Sequence, residues 1–132
     1  MRRVFVDTSC WFAAAFADDP DHERVRTTLT GGDRLITSNF VLDETITICA
    51  GKLGHRVAAS VGGLLLDTDE VDLVRLTAAD ELAAWKLFIE RPDKSYSFTD
   101  CTSFVLMRRL GIDVAFALDD HFRQEGFEVQ PG

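Results

Sequence analysis

The chain has 132 residues, 46% of them hydrophobic, enough apolar material for one domain over residues 1–132 with its own core. Its formal net charge is −8, from 22 acidic and 14 basic side chains, which excludes a general polyanion binder with a broad basic surface. It does not exclude a nucleic-acid enzyme whose acids gather at a metal and whose bases are grouped elsewhere.

Residues 3–7 read as a strand. Arg2-Arg3 and the Ala13–Ala17 stretch imitate a secretory leader, but Asp7 interrupts the apolar segment, so these residues are expected to be mature structure. Apolar runs stay well short of the roughly 20 residues that span a membrane, and the protein is expected to be cytoplasmic. A helix follows from Cys10 to Phe16, capped by Thr8 or Ser9, and a second opens in "DDPDHE", where Pro20 and the acids suit a first turn. "RLITS" (34–38) is a short strand after Gly31-Gly32. Asn39 is placed to cap a helix through Leu53 that Gly54 ends, and another runs from His55 to about Leu66. "VDLVRL" (71–76) alternates as a strand does. Thr77 caps the helix "AADELAAWKLFIE", which Pro92 ends; the next runs from Phe98 to Gly111. "DVAFALD" is a strand, a helical turn occupies 120–124, and "FEVQ" supplies a last strand. Strands alternating with helices imply βαβ units around a parallel sheet, an α/β fold whose ligands gather at the carboxyl ends of the strands.

Four acids occupy unusual places. Asp7 and Asp119 each follow an apolar strand, so both are expected on the same sheet edge. Asp120, beside Asp119, suits a cap for the turn carrying His121. Glu44 has Phe40, Val41 and Ile48 at its helical neighbour positions and faces the core side, whereas Asp43 faces water. A salt bridge or a metal would each compensate a carboxylate placed there. Asp100 closes the pattern Ser97-x-x-Asp100, a capping box, and a helix N-terminus also keeps a carboxylate ionised, so it can be cap and ligand together. With no His or Cys at zinc spacing, Asp7, Glu44, Asp100 and Asp119 indicate a hard cation, Mg2+ or Mn2+, suited to phosphoryl chemistry. Thr8, Ser9 and Thr99 stand beside two of these acids and can orient them.

These segments resemble the PIN domain nucleases, and among them the VapC-type toxins of bacterial toxin–antitoxin pairs. "VFVDTSCWFA" is similar to the family's opening strand with its first Asp, "SNFVLDETITICAGKLG" to the helix with its Glu, and "SFTDCTSFVLMRRLGI" to the helix with the third acid. "AFALDDHFRQEGFEV" is similar to the closing segment, whose register favours Asp119 over Asp120. The resemblance implies an α/β/α sandwich, a Mg2+- or Mn2+-dependent endoribonuclease, a homodimer, and a cognate antitoxin lying over the acidic groove. Ala117 departs from the pattern, since relatives often carry a hydroxyl residue there.

Other features carry less. "DTDEVD" (67–72) lacks the glycine and glutamate of a calcium loop, with Asp72 and Ala78 in their places, and reads as a solvated turn. His22-Glu23 is not a zinc motif, because Arg26 replaces the second histidine. Cys10, Cys49 and Cys101 are expected as buried thiols rather than as a nucleophile served by His121. Trp11, Phe12, Trp85 and Phe88 are expected on helix core faces. Arg2-Arg3, Lys52, His55-Arg56 and Arg108-Arg109 are the candidate RNA contacts. A phosphoacceptor module would need an acidic neighbour beside Asp7 and a lysine ending a late strand, and has neither; a PIN-like module that binds without cleaving is the other alternative.

Overall fold

The computed structural model describes residues 1–67 and 69–132. Five strands form one sheet: β1 (Arg3–Val6), β2 (Arg34–Ser38), β3 (Val71–Val74), β4 (Val114–Phe116) and β5 (Glu128–Gln130). Seven helices connect them: α1 (Thr8–Ala15), α2 (His22–Leu29), α3 (Asn39–Leu53), α4 (His55–Leu65), α5 (Ala78–Glu90), α6 (Phe98–Leu110) and α7 (His121–Gln124). The strand order is β3-β2-β1-β4-β5 and every pairing is parallel. Helices α1 to α4 pack among themselves, as do α5 to α7. Right-handed crossovers place the two groups on opposite faces of the sheet, giving the expected α/β/α sandwich.

β1 is the central strand. Val4, Phe5 and Val6 are wholly buried, which a parallel strand covered on both faces requires. The direction of winding reverses between β1 and β4, where Phe5 pairs Ala115 and Val6 pairs Phe116. That reversal opens a crevice beyond the carboxyl ends of these two strands. Phe5, Phe104, Phe116 and Phe122 are the largest fully buried side chains among the described residues.

The helix ends show where the sequence reading moves. The α1 cap is Asp7, not Thr8 or Ser9, because the backbone is still extended there (φ −83°, ψ 160°) and its carboxylate reaches the Ser9 N–H. The α3 cap is likewise Ser38, whose hydroxyl accepts from the Val41 N–H; Asn39 instead accepts from the Leu76 N–H at 2.9 Å and pins the chain after β3. Capping boxes open α5 at Thr77/Asp80 and α6 at Ser97/Asp100, and Gly111 closes α6 in the left-handed region. β3 and β4 stop short of the apolar runs that suggested them. Thr68, within the segment 67–72 expected as a solvated turn, lies outside the described residues; beside it the Asp67 carboxylate accepts from the Asp69 N–H, and Val71 and Asp72 already belong to β3, with Val71 buried. The three cysteines are buried and reduced. No helix among the described residues is long and apolar enough to cross a membrane.

Candidate active site

Asp7, Glu44, Asp100 and Asp119 line one open cavity of about 360 Å3 at the β1/β4 crevice. Each arrives on a different element, and local bonds fix the three aspartates. Asp7 leaves β1 with its backbone N–H on the Phe116 carbonyl at 2.9 Å. Its Oδ2 accepts from Ser9 Oγ at 2.7 Å and from the Ser9 N–H at 3.2 Å. Ser9 Oγ accepts in turn from the Leu118 N–H at 3.1 Å, so one hydroxyl ties the ends of β1 and β4 together. The support that Ala117 cannot give is supplied by Ser9, from the first turn of α1.

Asp100 Oδ2 accepts from the Ser97 N–H at 3.0 Å and from His121 Nδ1 at 2.9 Å. The capping role and the cavity-lining position therefore coexist. Asp119 Oδ1 accepts from the His121 N–H at 3.0 Å. It thus takes the capping bond expected of Asp120, which is exposed and pairs with Arg123 instead. Glu44 is half-buried on α3 and forms no salt bridge or hydrogen bond among the described residues, while Asp43 is exposed. Thr8 lines the cavity with its hydroxyl accepting from Thr45 Oγ1 at 3.2 Å. Thr99 does not line it. Its carbonyl accepts from Thr102 and Ser103 inside α6, so its part is helical rather than orienting.

His121 was legible only as a neighbour of Asp119. Here its ring bridges Asp100 and Ser95, whose Oγ lies 3.2 Å from Nε2, and its backbone holds Asp119. A carboxylate on Nδ1 places a ring proton on that nitrogen. Ile48 and Lys52 complete a stripe on α3 one and two turns after Glu44, a spacing the sequence displays once Glu44 is chosen.

The electrostatics of the site are those of crowded acids. Asp7 is only 4% exposed, and burial pushes its carboxyl up to about 7; the Ser9 hydroxyl opposes the shift, and the charges of Asp100 and Asp119 add to it. Burial raises Asp100 as well, against the Ser97 N–H, and Asp119 adds to the rise. Each aspartate commits one oxygen to the protein and keeps the other without a hydrogen bond among the described residues. No three acids or histidines among the described residues stand together as a ready ligand cluster. The donors are nevertheless all oxygen, mutually repelling, and share one cavity. That set fits a hard divalent cation, which would offset the repulsion as the side chains close on it.

The remaining candidates sort differently. Arg109 binds Asp80 with two hydrogen bonds of 2.8 Å, Arg108 pairs with Glu125, Arg2 pairs with Asp33, and Arg3 donates to the Leu110 carbonyl. These bases hold the fold. Trp11 is buried and Phe12 lines the cavity, but Trp85 and Phe88 are 52% and 40% exposed, against the core placement expected. They stack on each other along α5, where Leu82 and Ile89 are also exposed. Burial pushes the Cys10 thiol far up, which removes it as a nucleophile at neutral pH.

Comparison with known proteins agrees with this fold. The PIN domain family model matches residues 4–128. The 23S rRNA-specific endonuclease VapC20 of Mycobacterium tuberculosis, in strains CDC 1551 / Oshkosh and H37Rv, is 38% identical over 130 residues, 97% of this chain and 98% of its own. The crystal structure of Mycobacterium tuberculosis VapC20, described as a sarcin–ricin loop cleaving toxin, matches with a TM-score of 0.90 and 37% identity. That match covers 94% of this chain and 95% of that one. VapBC2 from Rickettsia felis, crystallised with a DNA fragment from its promoter, matches with a TM-score of 0.71 over 97% of each chain; at 11% identity this is a likeness of fold alone. The chain belongs to the PIN domain family.

Proposed function

We propose that this protein is a metal-dependent endoribonuclease, the toxin of a toxin–antitoxin pair, that hydrolyses a phosphodiester bond in ribosomal RNA. One observation carries the reading: four carboxylates from separate parts of the chain line one cavity at the switch point of a parallel sheet, and burial, with neighbouring acids, pushes Asp7 and Asp100 above the usual carboxylate range. Structural ion-pair networks leave acids matched by permanent cations, and among the described residues these four acids pair with no arginine or lysine, only Asp100 and Asp119 having the His121 ring beside them. The substrate class is supported by the relative of 38% identity, which is named for 23S rRNA.

Asp7, Glu44, Asp100 and Asp119 would hold Mg2+, or Mn2+ in its place. Such an ion supplies acidification of the attacking water and stabilises the charge that develops on phosphate. The chain itself does the positioning. Ser9 locks Asp7 to the end of β4, and the capping box with His121 locks Asp100, so these two acids are held at the ends of regular elements. In the reaction the water oxygen forms its bond to phosphorus as one P–O ester bond breaks, and the departing oxygen takes up a proton. A cognate antitoxin and a second copy of this chain complete the reading; the apolar stripe Leu82, Trp85 and Ile89 on α5 supports an assembled state.

The test pairs this protein with its Asp100→Asn variant on purified ribosomal RNA, with Mg2+ or Mn2+ and with EDTA. Cleavage by the parent alone, stopped by EDTA, is the expected result, because Asn keeps the capping acceptor but ligates metal poorly. RNA that is bound and left intact by both would support the binding-only module instead.

A further inference from the structure

The chain has 14 lysines and arginines, and ten of them are committed. Arg2, Arg24, Arg26, Arg34, Arg91, Lys94, Arg108, Arg109 and Arg123 sit in salt bridges, and Arg3 donates to a carbonyl. That leaves Lys52, Arg56, Arg75 and Lys86 without an ion-pair partner among the described residues. Of these four, Lys52 alone lines the acidic cavity.

Its placement is built. Lys52 lies eight residues after Glu44 on α3, about 12 Å along the helix axis. Helical side chains lean toward the N-terminus of their helix, which carries the ammonium back toward Glu44 and the cavity. The ammonium lies 5.6 Å from the centre of the Phe12 ring, a second cavity-lining residue, from α1. An aromatic face restrains a lysine without neutralising it. Lysine in a last helical turn also complements the helix dipole, but that role needs neither an aromatic platform nor a place in the cavity wall.

A polyanion approaching four carboxylates on a protein of charge −8 needs a cation at the entrance. We propose that Lys52 is a substrate-binding residue that takes a backbone phosphate flanking the scissile one, an assignment that rests on the nuclease reading for its substrate. The contact is to phosphate, so it adds affinity without reading sequence.

The experiment uses a fluorescein-labelled hairpin RNA of the sarcin–ricin loop. Its binding is followed by anisotropy in Mg2+ at salt concentrations from about 50 to 200 mM. All proteins carry Asp100→Asn to suppress cutting, alone or with Lys52→Met, Lys52→Arg or Lys86→Met, the last altering an unpaired lysine away from the cavity. Lys52→Met is expected to weaken binding about tenfold, a loss typical of one charge-assisted contact, and to make the slope of log K against log salt shallower by about 0.7. Lys52→Arg should retain both, and Lys86→Met should match its parent. Equal affinity and slope for the two methionine variants would overturn the assignment, as would failure of the Asp100→Asn protein to bind the hairpin. Cleavage by the Asp100 protein is scored separately: Lys52-dependent binding with no cleavage sinks the nuclease reading and leaves the phosphate contact standing.

Discussion

Replacing Asp7 by Asn should make the metal-free protein more stable while removing its activity. The carboxyl is held at about 7 in the fold against 3.8 in a free side chain, chiefly by burial. A shift of that size corresponds to about 4 kcal/mol at 1.36 kcal/mol per unit. Between those values the unfolded chain releases the Asp7 proton while the folded chain keeps it. Folding stability therefore falls as pH rises from about 4 to about 7 and is level beyond. Asn carries no charge and still accepts from the Ser9 N–H and hydroxyl, so the variant escapes this loss. Relaxation of the site reduces the full figure, and the expected gain at pH 8 is about 1–3 kcal/mol, near 4 °C in Tm per kcal/mol for a chain of this size. Thermal unfolding of both proteins in EDTA, from pH 4.5 to 8, measures it. Mg2+ should stabilise the parent and close the gap. A variant no more stable than its parent at pH 8, or a gap that does not widen with pH, would refute the claim that burial, aided by the neighbouring acids, makes the charged Asp7 costly in the fold.

The twin capping boxes give a contrasting outcome. Asp80 is buried like Asp100, but hydrogen bonds from Arg109 and the Thr77 N–H outweigh burial and hold its carboxyl below the usual range. Asp80→Asn should cost about 1–2 kcal/mol by urea unfolding, the partial exposure of Arg109 reducing the figure, and leave cleavage by the folded protein intact. Phe104 is wholly buried with its ring centre 4.9 Å from that of Tyr96 and 5.0 Å from that of Phe122. Phe104→Ala should cost about 3–5 kcal/mol, read from the urea midpoint, by leaving a void that these rings cannot fill.

The sheet and the four acids were legible because they rest on short-range rules. An apolar run stopped by a carboxylate marks a strand end whether or not the partner strand is known, which placed Asp7 and Asp119 together. Helical spacing separated Glu44 from Asp43. The helix caps missed by one residue, since Asp7 and Ser38 still belong to strands by pattern and become caps only through their side-chain bonds. Thr99 was placed by proximity in sequence, but rotation about α6 sends it away from the cavity, and the capping bond expected of Asp120 falls to Asp119. The bases could not be sorted in advance. Whether Arg109 meets RNA or Asp80 depends on a contact across 29 residues, and no local pattern encodes it. Trp85 and Phe88 failed for a similar reason: the apolar positions of α5 exceed what one core can cover, and the surplus is exposed.

The most direct measurement is the cleavage rate of ribosomal RNA by six single variants in Mg2+. Asp7→Asn, Glu44→Gln, Asp100→Asn and Asp119→Asn change acids that line the cavity, while Asp43→Asn and Asp120→Asn change exposed acids beside two of them. The account predicts losses of about a hundredfold or more for the first four and rates within about twofold of the parent for the other two. Full activity in any of the four, or an equal loss at Asp120, would contradict a metal centre built from Asp7, Glu44, Asp100 and Asp119.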